Sequence, residues 1–232
     1  MRLAIIIALA SALGATDARA VSRKDQPPEC DPGATWHEEA DLGAFAFQDD
    51  QGQSVTPGRV GWCARADGTR HGVMRVWWAN GWLASDTTWV DGVASGPVTT
   101  WYDDGKPQLA TTHKEGRPEG RYSYWHRNGQ RARLMHYEAG RPHGWARYWD
   151  ERGRLVAQGT FDEGRKVGTW ESFWGNGVLK EVARWDDGRL DGRQLAFSEG
   201  GVFTAAVCWE RGEKLWESRI EIEARTRGCK PY

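Results

Sequence analysis

Between Val73 and Glu210 the chain is a succession of short runs in which apolar and polar residues alternate, each run stopped by glycine. In the first such stretch Val73 to Trp78 has the character of a strand, Ala79-Asn80-Gly81 of a turn, and Leu83 to Trp89 of the return strand. Asp91-Gly92 then opens the turn into the next stretch. Asn-Gly and Asp-Gly between apolar runs are strong short-range hairpin signals. They recur at Asn80-Gly81, Asp104-Gly105, Asn128-Gly129 and Asn176-Gly177, and on the other side at Asp67-Gly68, Asp91-Gly92 and Asp187-Gly188. Connections this short make successive strands antiparallel neighbours. Glycine recurs at least every eleven residues, which nearly excludes helices, at about 1 kcal/mol per interior glycine.

The pattern has a strict period. Glycines at 72, 96, 120, 144, 168 and 192, at 81, 105, 129, 153, 177 and 201, and at 92, 116, 140, 164, 188 and 212 all step by 24 residues. Six tandem copies therefore occupy Gly72 to Lys214. Two aromatic columns run in step with them. The first is Trp77, Trp101, Trp125, Trp149, Phe173 and Phe197. The second is Trp89, His113, Tyr137, Phe161, Trp185 and Trp209, with His113 its only non-aromatic member. A period of this size marks an array in which each unit packs on its neighbours. The columns are expected to glue copy to copy, because aromatic neighbours stabilise a sheet by a few tenths to about 1 kcal/mol per pair. A two-residue Asn-Gly loop puts Trp77 and Trp89 on opposite faces, and a three-residue loop with a bulge puts them on one face. Both stay open at the level of sequence, with the second as our working expectation.

The fold class expected is all-β: an elongated, twisted antiparallel sheet of stacked β-hairpins, with disulfide-capped ends. Twelve strands at about 4.8 Å each would make a ribbon roughly 55 Å long. Val60 to Ala66 looks like the second half of a degenerate copy that adds a strand at the start. Phe45 and Phe47 alternate like a short strand within an irregular cap. Ile220, Ile222 and Ala224 alternate with charged residues, which points to a final edge strand tied back through Cys229.

The ends add further constraints. Met1-Arg2, the apolar run Leu3 to Leu13 and Ala18-Arg19-Ala20 have the form of a secretory signal peptide cut after Ala20. The apolar run is too short to span a bilayer, so no membrane insertion is expected after cleavage. The expected divisions are 1–20 signal peptide, 21–71 N-terminal cap with the half copy, 72–214 array, and 215–232 C-terminal cap. Val21 to Glu29, with Pro27-Pro28, has a disordered composition. Cys30, Cys63, Cys208 and Cys229 form an even set in a chain expected to be exported, which favours disulfides. Four cysteines allow three pairings. Locality favours Cys30–Cys63 and Cys208–Cys229, one staple at each end, where terminal copies lack a neighbour. The localisation expected is periplasmic or secreted.

Charge and chemistry narrow the function. Removing Arg2, Arg19 and Asp17 from 31 basic and 32 acidic residues leaves a net charge near −2, with no electrostatic footprint for nucleic acid or an anionic membrane. The chain holds no GxSxG, HExxH, Walker loop or CxxC, so no catalytic residue, metal site or cofactor is expected and the chain is read as non-enzymatic. His37-Glu38-Glu39 reads as a solvated charge run, and the other histidines occupy different repeat positions. Beside the first aromatic column lies a variable one: Trp78, Tyr102, His126, Asp150, Trp174 and Ser198. Variation inside a strict repeat means the scaffold leaves the side chain undetermined, so Trp78, Tyr102, His126 and Trp174 are the candidate partner-binding residues. The partner expected is a protein or peptide lying along the sheet or pairing with its edge. The alternative is a cell-wall polysaccharide on exposed indoles.

The unit GTWESFWGNGVLKEVARWDDGRLDG, Gly168 to Gly192, resembles a MORN-variant repeat, in the bacterial branch often labelled as antitoxins of toxin–antitoxin systems. The resemblance covers Gly72 to Lys214 and rests on the Gly-x-x-x-x-aromatic start, the Asn-Gly-x-Leu turn and the aromatic-x-x-Gly end. Cys30-Asp31-Pro32-Gly33 and Gly61-Trp62-Cys63 ahead of His71-Gly72 resemble the caps of exported members. The resemblance implies a single elongated sheet of hairpins, an interaction role and, as a further alternative, an antitoxin-like inhibitor.

Overall fold

The computed structural model describes residues 27–39, 47–48, 54–55 and 58–229. The expected signal peptide and Phe45 lie outside them. Fifteen strands form one open sheet in sequential order, Ala34–Glu39, Arg59–Arg65, Arg70–Trp77 and onward to Glu213–Ser218. Every neighbouring pair is antiparallel, as short hairpin connections require. Phe47–Gln48 and Ser54–Val55 form a separate two-stranded sheet. The half copy supplies the strand Arg59–Arg65, which pairs with Arg70–Trp77. Ala34–Glu39 extends the sheet one strand beyond it.

Each copy uses two different turns. At Asp91-Gly92 both residues have positive φ, 50° and 81°, and Val90 pairs with Val93. This is the two-residue type I′ geometry, whose twist matches that of the strands. Glu115, Ala139, Glu163, Asp187 and Arg211 hold the same left-handed position in the other copies. At Asn80-Gly81 the loop has three residues, closed by Trp78 N–H on the Trp82 carbonyl at 2.8 Å and Gly81 N–H on the Trp78 carbonyl at 2.9 Å. The glycine column from Gly72 to Gly192 marks no turn. Gly72 to Gly192 sit inside strands with positive φ, where the register slips; on one side of Gly120, for example, Ala110 pairs with Ser123 but Thr112 with Glu119.

The aromatic columns lie on opposite faces, which corrects the expectation of a shared one. A three-residue loop alone would pair Trp89 with residue 71 and keep both columns together. The return strand carries one extra residue, however: Trp77 pairs with Leu83, yet Val76 pairs with Ser85. That single-residue bulge shifts the register, Gly72 faces Trp89, and a one-residue slip exchanges the faces.

The two faces are built differently. The second column shares its face with Tyr122, Met135, Ala146, Tyr148 and Trp170, which pack with Tyr137, Phe161 and Trp185. Trp170 is buried because Gly159 lets its indole lie flat on the backbone: a Cβ at Gly159 would come within 2.2 Å of the ring. The indole N–H donates to the Thr160 carbonyl at 3.0 Å. We call this the packed face. On the other face Trp77, Leu83 and Trp101 cluster with Trp36 at the N-terminal end. At the C-terminal end the same face is covered by a short helix.

That helix, Glu221–Thr226, replaces the edge strand expected at Ile220 to Ala224; the edge strand is Glu213–Ser218 instead. Ser218 turns the chain by accepting the Ile220 N–H at 3.1 Å. Glu221 pairs with Arg225 one turn on, and Ala224 packs with Ala206, Cys208 and Trp216. Cys208–Cys229 pins the tail there, and Cys30–Cys63 pins the other end. Both pairings are those that locality favours.

Candidate functional site

The side chains expected to select a partner lie on the Asn-Gly rim, and the structure gives their polar ends an internal role. Trp78 Nε1–H donates to the Trp101 carbonyl at 3.1 Å, and Tyr102 O–H to the Trp125 carbonyl at 2.6 Å. His126 Nε2 lies 2.8 Å from the Trp149 carbonyl, and Trp174 Nε1–H donates to the Phe197 carbonyl at 2.8 Å. Each ring thus reaches into the following copy. At these four positions what looks variable in sequence is uniform in chemistry, a ring bearing an N–H or O–H at its far end, whereas Asp150 and Ser198 in the same column serve their own turns. Tyr102 is buried, while Trp78, His126 and Trp174 are half-buried.

A second ladder runs beside this one. Asn80, Asn128 and Asn176 use their carbonyl oxygens to hold their own turns and their amide N–H groups to reach the carbonyls of Asp103, Glu151 and Glu199. Asp104, ionised, has no proton to donate. Lys106 bridges from its carboxylate to the Arg127 carbonyl instead. Burial would raise the Asp104 carboxyl, but the Lys106 bonds outweigh that and hold it below the usual range. In the fourth copy, where Arg152 replaces asparagine, Asp150 accepts from Arg154, and Arg154 donates to the Gly175 carbonyl. The hydrogen bonds from Arg154 hold the Asp150 carboxyl low.

The exposed surface is elsewhere. On the face opposite the packed one, cross-strand pairs from the middle copies are Pro97/Thr112, Arg121/His136, Trp145/Thr160 and Thr169/Arg184. Pro97, Thr112, Arg121, His136, Trp145, Thr160 and Thr169 are exposed, and Trp145 retains 49% of its surface. Arg147 stands two residues along from Trp145 on the same face, its guanidinium 5.9 Å from the indole centroid. Gln158 donates to Glu171 at 2.7 Å alongside. We call this the open face. Its outward column, Val73, Pro97, Arg121, Trp145, Thr169 and Arg193, sits one residue after the strand glycines. The sequence reading missed it. The signal was present, since that column changes in size and charge from copy to copy.

The packed face contrasts in its titration. Burial raises the hydroxyls of Tyr122, Tyr137 and Tyr148 above the usual phenol value. His113, in the second aromatic column, is held below its ordinary value by burial, and its Nδ1 has no hydrogen-bond partner. Among the described residues no group of three or more His, Cys, Asp or Glu side chains is placed to hold a metal. No helix among them is long and apolar enough to cross a membrane.

No curated protein sequence matches the chain. Residues 70–91 and 118–139 match the model of the MORN repeat variant. Each span begins at the strand entering a copy, crosses the three-residue turn and ends at the type I′ turn. These two spans are similar to the MORN repeat variant, and the structure repeats the same unit in register along the array.

Proposed function

We propose that this protein is a non-enzymatic binding scaffold whose open face holds a protein or peptide partner around Trp145. One observation carries the reading: of two faces on one sheet, one is closed by its own aromatic rings and the other leaves an indole half exposed among polar side chains. Exposed aromatic residues with adjacent arginine are the usual anchors of protein interfaces. Two disulfides support an oxidising, periplasmic or extracellular setting. Trp78, Tyr102, His126 and Trp174 would hold the scaffold in register and border the partner on the rim.

The test is a photocrosslinking amino acid placed in turn at positions 145, 121, 161 and 185 of the protein in its native envelope. Adducts with one defined protein from 145 and 121, and none from 161 or 185, are expected. Adducts confined to the sheet edges, at positions 35 or 214, would move the binding site off the face. The exposure of Trp145 beside Thr160 also favours a second reading, a polysaccharide stacked on the indole. Polysaccharide pull-down abolished by Trp145→Ala would establish that one instead.

A further inference from the structure

The packed face carries one charge that its own rings do not neutralise. Arg133 lies between Tyr124 and Tyr148 of the neighbouring strands. It is exposed, with its guanidinium 5.8 Å from the Tyr124 ring centroid. Tyr122 and Tyr137 are the next rings along the same face, 5.2 Å apart. Burial raises the hydroxyls of Tyr122, Tyr137 and Tyr148, and the Arg133 charge acts against that rise at each. Among the described residues Arg133 has no ion-pair or hydrogen-bond partner, and the hydroxyls of Tyr122, Tyr124, Tyr137 and Tyr148 bond to no other residue. Tyrosine hydroxyls ordinarily find such a partner as they are buried.

No acid stands close enough on this face to answer Arg133. The other charged side chains that the middle strands place here are Lys166, which covers Trp170 and Trp185 at 4.3 and 4.7 Å, and Glu181. Glu181 lies four strands from Arg133, by way of Tyr148, Ala157 and Ser172, about 19 Å away. On the rim above, Asp150 is held by Arg154, and Glu151 is exposed on the turn. The positions equivalent to Arg133 in the other copies hold Ser85, Leu109, Ala157, Glu181 and Ala205. The array therefore has no need of a cation there, and the cluster of one guanidinium and four phenols occurs once.

One unpaired cation matches a single negative charge, and a guanidinium grips a carboxylate through two parallel hydrogen bonds. Phenol hydroxyls donate and accept alike, and their rings offer apolar surface beside the polar ends. The matching ligand has one carboxylate, several hydroxyls and an apolar ring face. Tyr124 and Tyr148 stand two strand spacings apart, about 9.6 Å, which suits one or two sugar rings better than a macromolecular interface. A peptide carboxylate would engage Arg133 and leave most of the hydroxyls unused. We propose that the Arg133 cluster binds a hexuronic acid residue, with its carboxylate on the Arg133 guanidinium, its hydroxyls bonded to the phenols of Tyr122, Tyr124 and Tyr148, and its ring against their aromatic surface. Tyr137 borders the site. It lies on the face opposite Trp145 and is independent of what that face holds.

The experiment titrates the full mature chain, by isothermal titration calorimetry, with trimers and monomers of galacturonate, glucuronate and mannuronate, their methyl esters, triglutamate and inorganic sulfate. At least one uronate trimer is expected to bind, and its ester at least tenfold more weakly. Arg133→Gln should reduce affinity tenfold or more, and Arg133→Lys should restore part of it. Tyr122→Phe with Tyr148→Phe keeps both rings and should reduce affinity threefold to tenfold in a variant that melts like the parent; if it melts lower, Arg133→Gln decides, since only an exposed side chain changes. A monomer that binds as tightly as the trimer marks a free sugar acid as the ligand, a trimer preference marks a polymer chain, and both support the site. The proposal is overturned if no uronate trimer binds, if acid and ester bind equally, or if triglutamate or sulfate binds as tightly as the uronate. It also falls if Arg133→Gln keeps the parental affinity while Trp145→Ala loses it, which would put the saccharide on the open face.

Discussion

The two faces of this sheet are made by the same backbone, yet they solve opposite problems. On the packed face Trp170 lies over Gly159, with Phe161 edge-on at 4.9 Å and Lys166 at 4.3 Å from its ring. A single-layer sheet has no second layer to cover it, so these rings cover one another. On the open face the equivalent row, from Arg121 to Thr169, makes no such cluster and stays in water. In the middle copies stability is thus concentrated on one side of the ribbon and the freedom to vary on the other, while at both ends the open face too is covered.

Substitutions can break or sharpen that contrast. The largest effect is expected from Trp170→Ala, which removes the centre of the packed face and leaves bare backbone at Gly159. A loss of about 3 to 5 kcal/mol in unfolding free energy, by denaturant titration, follows from truncating a buried tryptophan. Next comes Cys208→Ser with Cys229→Ser, where the open face is covered. Removing that bridge should lower stability by about 3 kcal/mol. Hydrogen exchange should then find Glu221–Thr226 released and Ala206 exposed, with the middle copies unchanged.

A smaller effect attaches to His113. Burial holds its folded pKa below its ordinary value of about 6.5, so the unfolded chain takes up the proton more readily. Stability contributed by the neutral ring is present above the ordinary value and declines as pH falls through it. His113→Phe should flatten the melting temperature between about pH 7 and 5 relative to the parent. The smallest stability effect belongs to Trp145→Ala, within about 0.5 kcal/mol. A large loss there would mean that the open face is as structural as the packed one.

Period, strand order and the cysteine pairs were legible because each depends on residues with one physical use. Each glycine column marks a backbone position held at positive φ, and the Asp-Gly and Asn-Gly turns could be placed from that alone. The face of each aromatic column was not legible. It turns on one extra residue, Ala84 beside Leu83, and no side chain announces a bulge of that kind. The tail misled for a related reason. Ile220, Ile222 and Ala224 alternate as a strand would, but Ser218 bends the chain and Ala224 finds a buried seat as a helical residue. The donor column was legible as a column but not as donors, because indole, phenol and imidazole look unlike until their reach is measured against the next backbone carbonyl.

That reach runs one way. Asn80, Lys106, Asn128, Arg154 and Asn176 each complete the bonding of the copy that follows, never the one before. The array therefore has a polarity that its near-symmetric strands conceal. Duplication or loss of a whole 24-residue unit in the interior leaves every handover intact, whereas a cut of half a unit strands a donor against the wrong turn. Ribbons of this design lengthen in discrete steps, and the span of open face available to a partner is counted in the same steps.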